Sequence, residues 1–259
     1  MNKIHNIYIY DENIDGRQRQ ELESIYDSIN ADCDIFVSTS DSLCENIDIG
    51  LGGAYRGKAH FVVYSVDDID AAYLKMVAAR KMNRPLVIAE NDRLLIRELE
   101  ISDMADLYKL YDSLKDCRFI EPLYEWDEEK KFLTEYIDNM YRFFGYGLWL
   151  VYLKEEDVAG MKLVGRAGIE HRQLDGKTVH EIGYLVDSHY QGENIATESC
   201  RMILEYAGRI GIDTMYACID HENIPSVGLI EKLGFSVYAE NVNNMDIYYL
   251  SLKDYKHTL

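Results

Sequence analysis

The segment Glu181–Glu198, EIGYLVDSHYQGENIATE, constrains the fold of this chain more than any other. It predicts a β-strand from Glu181 to Val186, a tight loop over Gln191–Ala196, and then an α-helix that Gly211 can end. The helix has one apolar face at helical spacing, formed by Ala196, Cys200, Ile203, Leu204, Ala207 and Ile210. Such a loop leaves several backbone N–H groups at the positive end of a helix, so the junction predicts an anion site suited to phosphate. An ordinary junction that binds nothing is the alternative.

Composition narrows the class of protein. The chain has 259 residues, 47% of them hydrophobic, and only 3 prolines, which is typical of a fully folded globular protein. The net charge of −19 makes nucleic acid an unsuitable partner, because phosphate backbones require clustered Lys and Arg. An acidic surface around a phosphate-binding loop favours a cationic second substrate. The alternative interpretation is that the negative charge serves only to keep the protein soluble.

Targeting and metal signals are missing from the sequence pattern. No apolar run approaches the roughly 20 residues of a membrane span, and Asp11 and Glu12 follow the first short apolar run, so we expect neither a membrane segment nor a signal peptide. The five cysteines show no CxxC spacing, and no histidines stand at metal-ligand spacing. The sequence therefore predicts a cytoplasmic protein with reduced thiols and no metal.

Residues 1–91 predict a small α/β module of unknown role with a parallel sheet, because strands and helices alternate. Gly50–Gly57 is expected to be a loop. The predicted strands are Ile7–Tyr10, Asp34–Ser38, Phe61–Tyr64 and Pro85–Ala89, and the predicted helices are about Arg17–Asn30 and Asp67–Met82.

Asp11 offers an alternative function for this module. It follows the first strand, where phosphotransfer folds such as the haloacid-dehalogenase group keep a nucleophile. The sequence Asp11-Glu12-Asn13 lacks the paired aspartates of that group, so we interpret Asp11 as a turn residue.

Residues 92–259 predict a second domain with the order βααβββαβαββ, a mixed sheet with helices on both sides. Ser102-Asp103 is expected to cap the first helix, and Asp175-Gly176 and Asn243-Asn244 are expected to form hairpin turns. The strands are Arg93–Leu99, Leu148–Leu153, Lys162–His171, Val179–Val186, Thr214–Ile219, Phe235–Ala239 and Ile247–Leu252, and the later helices are Glu128–Phe143, the central helix and Asn223–Leu233.

Three motifs together resemble one family. RLLIREL followed by Ser102-Asp103, then EIGYLVDSHYQGENIATES, then ENIPSVGLIEKLGF are similar to the Gcn5-related N-acetyltransferases (GNAT), especially the ribosomal-protein N-terminal acetyltransferase branch. The resemblance covers about 92–259. It implies a GNAT-type mixed sheet and acetyl-coenzyme A as the cosubstrate.

The resemblance also implies which residues bind the cofactor. Backbone amides of the family's loop hold the pyrophosphate, here in the segment Gln191, Gly192, Glu193, Asn194, Ile195, Ala196 and Thr197. Asn194 stands where the family usually has glycine, and Asn tolerates left-handed backbone better than most residues. Leu185 and Val186 would pair with the pantetheine arm, Asn223 would hydrogen-bond the same arm, and Ser226 would lie near the sulfur.

For catalysis, the resemblance places Glu181 where many relatives keep a general base; a salt-bridged strand residue is its plain alternative. The base is needed because the amine has an unperturbed pKa of about 10. The N–H of Val186 would stabilise the oxyanion. Many relatives protonate the thiolate with a tyrosine at the position of Ile230, so this chain uses Ser226 or releases the thiolate unaided.

The sequence thus predicts an acetyl-coenzyme A-dependent N-acetyltransferase acting on a primary amine, either a small molecule or a protein. A catalytically impaired coenzyme A-binding regulatory protein is the second hypothesis, and a phosphatase based on Asp11 is the third. Only Asn91-Asp92 separates the two predicted domains, so we expect them to be rigidly apposed. The first domain is expected to cover the side of the second domain on which the acceptor amine binds. The acceptor and the oligomeric state are not predicted.

Overall fold

The computed structural model describes residues 5–10, 14–39, 46–52, 55, 58–115, 117–154, 160–253 and 255. The chain divides into two compact units, Met1–Leu86 and Val87–Leu259. This division falls before the boundary expected after Asn91. Asp11, the candidate nucleophile, lies outside the described residues. No helix in the described part is long and apolar enough to cross a membrane.

The first unit contains a four-stranded sheet in the order β1-β2-β3-β4, and every neighbouring pair is parallel, as predicted. Leu22 and Tyr26 of the first helix and Leu74 and Val77 of the second are buried in a common core with the strands. The elements are β1 (Ile7–Tyr10), α1 (Gly16–Ile29), β2 (Ile35–Ser38), β3 (Ile49–Leu51), β4 (Phe61–Val63) and α2 (Ala71–Lys81).

Strand β3 corrects the start of the predicted loop at Gly50–Gly57, of which residues 53, 54, 56 and 57 lie outside the described part of the chain. Gly50 lies within the strand, and a Cβ placed on it would come 2.3 Å from the ring of Tyr55. Glycine is therefore needed there because an aromatic ring packs directly on the strand backbone. The sequence pattern predicted a loop because glycine is usually depleted in strands.

The predicted strand Pro85–Ala89 is also corrected. The observed strand β5 (Val87–Glu90) belongs to the second sheet, where it pairs antiparallel with β6 (Leu94–Arg97). Asn91 closes the connection, since its N–H donates to the carbonyl of Leu94. A link this short can join only antiparallel neighbours, which makes β5 and β6 a hairpin at the edge of the second sheet.

The second unit is built on an eight-stranded mixed sheet in the order β11-β12-β10-β9-β8-β7-β6-β5. Among the described strands of this sheet, β9 and β10 form the one parallel pair. The remaining strands are β7 (Leu148–Lys154), β8 (Met161–Leu174), β9 (Lys177–Val186), β10 (Thr214–Asp220), β11 (Ser236–Val242) and β12 (Met245–Ser251). The α/β class and the mixed sheet agree with the prediction.

Helices cover both faces of this sheet. On one face, Arg166 of β8 contacts Tyr111 and Tyr136 of α3 and α4; on the other, Tyr184 of β9 contacts Ser226 of α6, and α5 packs on β8 and β9. Arg166 and Tyr184 point to opposite faces because Arg166 pairs with Leu185. The helices are α3 (Met104–Asp112), α4 (Trp126–Tyr136), α5 (Ile195–Arg209) and α6 (Ile224–Lys232).

Two local predictions in this unit need correction. Asp103 stands at the N-cap position of α3, as predicted, but its carboxylate binds the Arg97 guanidinium and the N–H of Glu100 and makes no capping hydrogen bond to the helix. The predicted helix Glu128–Phe143 changes to a π-helix over Ile137–Phe144. This widened turn accompanies contacts in which Tyr136 accepts from the N–H of Leu148 and Tyr141 donates to its carbonyl.

Candidate active site

The sheet separates between β9 and β10. Within these two described strands the ladder pairs only Tyr216 with Glu181, although β9 continues to Val186 and β10 to Asp220. We call this region, residues 182–186 facing residues 217–220, the open seam. Leu185 and Val186, predicted to pair with a pantetheine arm, lie in it. An extended ligand can add its own backbone-like groups to such strand edges.

The predicted anion loop follows directly at the end of the open seam. Gly192 has a φ of +85° and Asn194 a φ of +67°. Both residues therefore adopt left-handed backbone conformations just before α5 begins at Ile195. Among the described residues, no acceptor reaches the amides of Gln191, Gly192, Asn194, Ile195, Ala196 or Thr197. These unpaired amides at the start of a 15-residue helix are suited to hold a phosphate group.

Side chains from distant elements fix this loop. Lys232, in the last turn of α6, donates to Oδ1 of Asn194 at 3.1 Å. Arg93 donates to the carbonyl of Glu193 at 3.0 Å and forms an ion pair with Glu198 at 3.1 Å. Both cations therefore lie beside the predicted phosphate site, and Asn194 occupies the glycine position by adopting the left-handed conformation that was expected of it.

The second predicted cofactor contact is at the start of α6. Asn223 caps this helix: its Oδ1 accepts from the N–H of Ser226 at 3.4 Å, and its amide nitrogen has no partner among the described residues. Tyr184 of β9 donates its hydroxyl to the carbonyl of Ser226 at 3.3 Å. The cap and this bond hold Asn223 and Ser226 close to the open seam.

Glu181 lies at the point where the strands separate. Its carboxylate accepts from the N–H of Cys218 at 3.1 Å and forms an ion pair with Arg172 at 3.2 Å, and its side chain is only 14% exposed. The carboxylate thus takes the backbone donor of β10 that would otherwise be left unpaired in the gap. The role of Glu181 as general base stays a prediction.

Sequence reasoning missed a second carboxylate beside it. Glu170 of β8 pairs in register with Glu181 and is half-buried on the same face of the sheet. Burial raises the pKa of Glu170, Arg166 opposes that shift, and Glu181 adds to it. The signal available in the sequence was the predicted turn at Asp175-Gly176, because a hairpin closed by that turn places Glu170 directly opposite Glu181.

Arg166 was missed as well. It is 6% exposed, and its Nε has no hydrogen-bond partner, while Nη1 donates to the hydroxyl of Tyr111 at 3.3 Å. No carboxylate among the described residues forms an ion pair with it. This buried, incompletely paired guanidinium stabilises the ionised form of Glu170 and so opposes the rise of its pKa.

Ile230, at the position where many relatives have a tyrosine that acts as general acid, is completely buried. Its side chain is part of the packing of α6 and presents no proton donor to the open seam. Ser226 is half-buried at the start of the same helix, and its position near the sulfur stays a prediction.

Comparison with protein families identifies the class. A model described as "Acetyltransferase (GNAT) domain" matches residues 93–236, more than half of the chain. The chain therefore belongs to the GNAT acetyltransferase family, whose members carry out acyl transfer and generally use acetyl-coenzyme A.

Two proteins of known sequence are similar to part of this chain. The uncharacterized protein YkkB of Bacillus subtilis (strain 168) is 29% identical over 154 residues, covering 55% of this chain and 81% of that protein. The uncharacterized protein MJ1062 of Methanocaldococcus jannaschii is 25% identical over 170 residues, which are 64% of this chain and 32% of that protein. Neither relative supplies a substrate.

Solved structures share the fold. The ribosomal-protein-S5-alanine acetyltransferase of Vibrio fischeri superposes with a TM-score of 0.55 at 16% identity, covering 65% of this chain and 98% of that one. RimL, the ribosomal L7/L12 alpha-N-protein acetyltransferase, gives a TM-score of 0.54 at 16% identity, covering 65% and 95%. Likeness at this level of identity concerns the fold alone.

Proposed function

We propose that the protein transfers an acetyl group from acetyl-coenzyme A to a primary amine. The observation that carries the proposal is the open seam leading into a loop of unpaired amides, with Asn223 beside it. One continuous surface thus offers strand edges for an extended arm and helix amides for a phosphate.

The residues have separate roles in this proposal. Amides of the loop Gln191–Thr197 hold the pyrophosphate, with Lys232 adding positive charge beside Asn194. Leu185 and Val186 pair with the pantetheine arm, Asn223 donates its free amide to that arm, and the N–H of Val186 stabilises the oxyanion. Ser226 lies near the sulfur and protonates the departing thiolate.

The acceptor is expected to be cationic. Glu170 and Glu181 lie side by side on the face covered by α3 and α4, and Glu121 lies close enough to raise the pKa of Glu170. A protonated amine would be attracted to these carboxylates before it loses its proton. We place the reaction in the cytoplasm, without a metal.

The test combines binding with turnover. Calorimetry should detect acetyl-coenzyme A binding, and thiol release with a panel of primary amines, including peptides with free N-termini and polyamines, should exceed the rate without amine. A protein that fails to bind acetyl-coenzyme A would refute the proposal.

A catalytically impaired coenzyme A-binding regulator is the second candidate. It is favoured by Ile230, which is buried where relatives keep a tyrosine, and by Glu181, whose oxygens are engaged by Arg172 and Cys218. Binding of acetyl-coenzyme A without amine-dependent thiol release would select this candidate.

A further inference from the structure

Glu170 and Glu181 share one face of the sheet but differ in their partners. Glu181 accepts from the N–H of Cys218 and is paired with Arg172. Among the residues that the structure describes, no donor hydrogen-bonds to Glu170 and no cation forms an ion pair with it. Glu170 is thus the carboxylate whose oxygens are open to a ligand.

Glu170 lies close to a glycine at the open seam. Its Oε2 lies 3.3 Å from where a Cβ on Gly183 would be. Gly183 is two residues beyond Glu181 on β9, in the part of the strand from which β10 has separated. The Glu170 carboxylate therefore lies against the backbone of Gly183 next to the seam, beside the Leu148 side chain, and a Cβ at this position would crowd both side chains.

Charged groups reach Glu170 from several elements. Arg166 and Arg172 of its own strand attract the ionised carboxylate, whereas Glu181 of β9 and Glu121 of the α3–α4 connection repel it. The Glu170 carboxylate in turn contributes to the raised pKa of the buried Tyr136 hydroxyl on α4, although burial is the larger cause. Burial is the largest influence and raises the pKa of Glu170, which makes the ionised form a stronger base than a solvated glutamate.

We propose that Glu170, rather than Glu181, takes the proton from the acceptor ammonium, and that Glu181 closes the end of the open seam as a structural residue. This assignment rests on the proposed acetyl transfer. It departs from the general-base position that the family resemblance indicates.

The step balances as follows. Glu170 takes one proton from the ammonium, and the nitrogen lone pair then forms the N–C bond with the thioester carbonyl carbon while the carbonyl π electrons move to oxygen. The C–S bond breaks as the carbonyl re-forms, and the thiolate takes the second nitrogen proton by way of Ser226. The products are the acetamide, the free thiol and a protonated Glu170, which returns its proton to water.

The test compares three Glu→Gln variants in the full chain. Glu170→Gln should lower kcat by ~10²–10⁴-fold, with the affinity for acetyl-coenzyme A within about twofold of wild type. Glu181→Gln keeps an acceptor oxygen for Cys218 and should cost less than about tenfold. Glu240→Gln, an exposed change on β11, is the matched control. Glu170→Asp keeps the carboxylate and should recover part of the rate.

A pH profile separates proton transfer from a purely structural effect. The wild-type kcat should rise with pH along an acidic limb that reports ionisation of Glu170, and Glu170→Gln should lack that limb. Its deficit should shrink as the pH approaches the amine pKa of about 10, since free amine then needs no base.

Two outcomes overturn the assignment, and they are distinguishable. An active wild type whose Glu170→Gln variant keeps its rate and its acidic limb overturns the role of Glu170 alone. A wild type that acetylates no amine overturns the proposed function and the role of Glu170 with it.

Discussion

The two edges of strand β9 behave differently. Towards β8, the ladder is continuous from Gly165–Val186 to the turn at Leu174–Lys177; towards β10, it holds only Glu181–Tyr216. The first edge is closed by backbone hydrogen bonds and serves as scaffold. The second edge leaves backbone groups available, so one strand supplies both rigidity and a binding surface.

The residues at the two edges of β9 differ accordingly. The strands around the closed edge use glycine for close packing, as at Gly168, where a Cβ would come 1.9 Å from the carbonyl oxygen of Gly147 on the far side of β8. The open edge instead uses Glu181 to satisfy the N–H of Cys218. Tight backbone packing lies at one edge of β9, and the incomplete ladder lies at the other.

The largest effect of a substitution is expected at the closed edge of β9, which faces β8. Gly168→Ala should lower the free energy of unfolding by about 3 kcal/mol or more, because the new Cβ meets backbone that cannot move without separating β7 from β8. Urea denaturation measures this loss. Gly208→Ala, where a Cβ on α5 meets nothing within 4 Å, should instead gain about 0.5–1 kcal/mol. Equal effects of the two variants would refute this account of Gly168.

At the open edge of β9, the largest effect on ligand binding should come from Gly192→Val. Its φ of +85° imposes a strain of about 1–2 kcal/mol on any L side chain, and the valine would stand among the phosphate-binding amides. Calorimetry should detect no acetyl-coenzyme A binding, while the protein stays folded. Gly176→Val imposes similar strain in the β8–β9 turn, at a φ of +73°, and should leave binding intact. Undiminished affinity of the Gly192 variant would contradict the loop assignment.

Removing the carboxylate at the junction of the two edges should have an intermediate effect. Glu181→Ala leaves the N–H of Cys218 without its acceptor, which should cost about 1–3 kcal/mol of stability. Glu181→Gln, with an acceptor oxygen still present, should cost less. If urea midpoints of the two variants coincide with wild type, Glu181 has no structural role at the seam.

The smallest effect is expected from Asn194→Gly. Glycine adopts the observed φ of +67° without strain, so acetyl-coenzyme A affinity should increase by up to a few-fold, partly offset by the lost contact with Lys232. The ratio of dissociation constants from calorimetry provides the measurement. A large loss of affinity would instead show that the Asn194 side chain itself binds the ligand.

Much of the second unit could be predicted from sequence because its signals are local. The loop and helix after β9 follow from spacing and from Asn194, and both hairpin turns have the left-handed residues their sequences require, with φ values of +50° and +73° at Asp175-Gly176 and +52° and +71° at Asn243-Asn244. The parallel first sheet likewise follows from alternating strands and helices. Each of these features depends on residues close together in the chain.

Tertiary structure decided what depended on distant partners. Val87–Glu90 reads as one more apolar strand, and only its antiparallel pairing with β6 assigns it to the second sheet. Gly50 lies in a strand because the ring of Tyr55 packs on it. Glu170 and Glu181 look alike in sequence, but Cys218 from β10 and Arg172 engage only one of them. Local sequence sets backbone preferences, whereas pairing and the availability of a carboxylate depend on which strands meet in space.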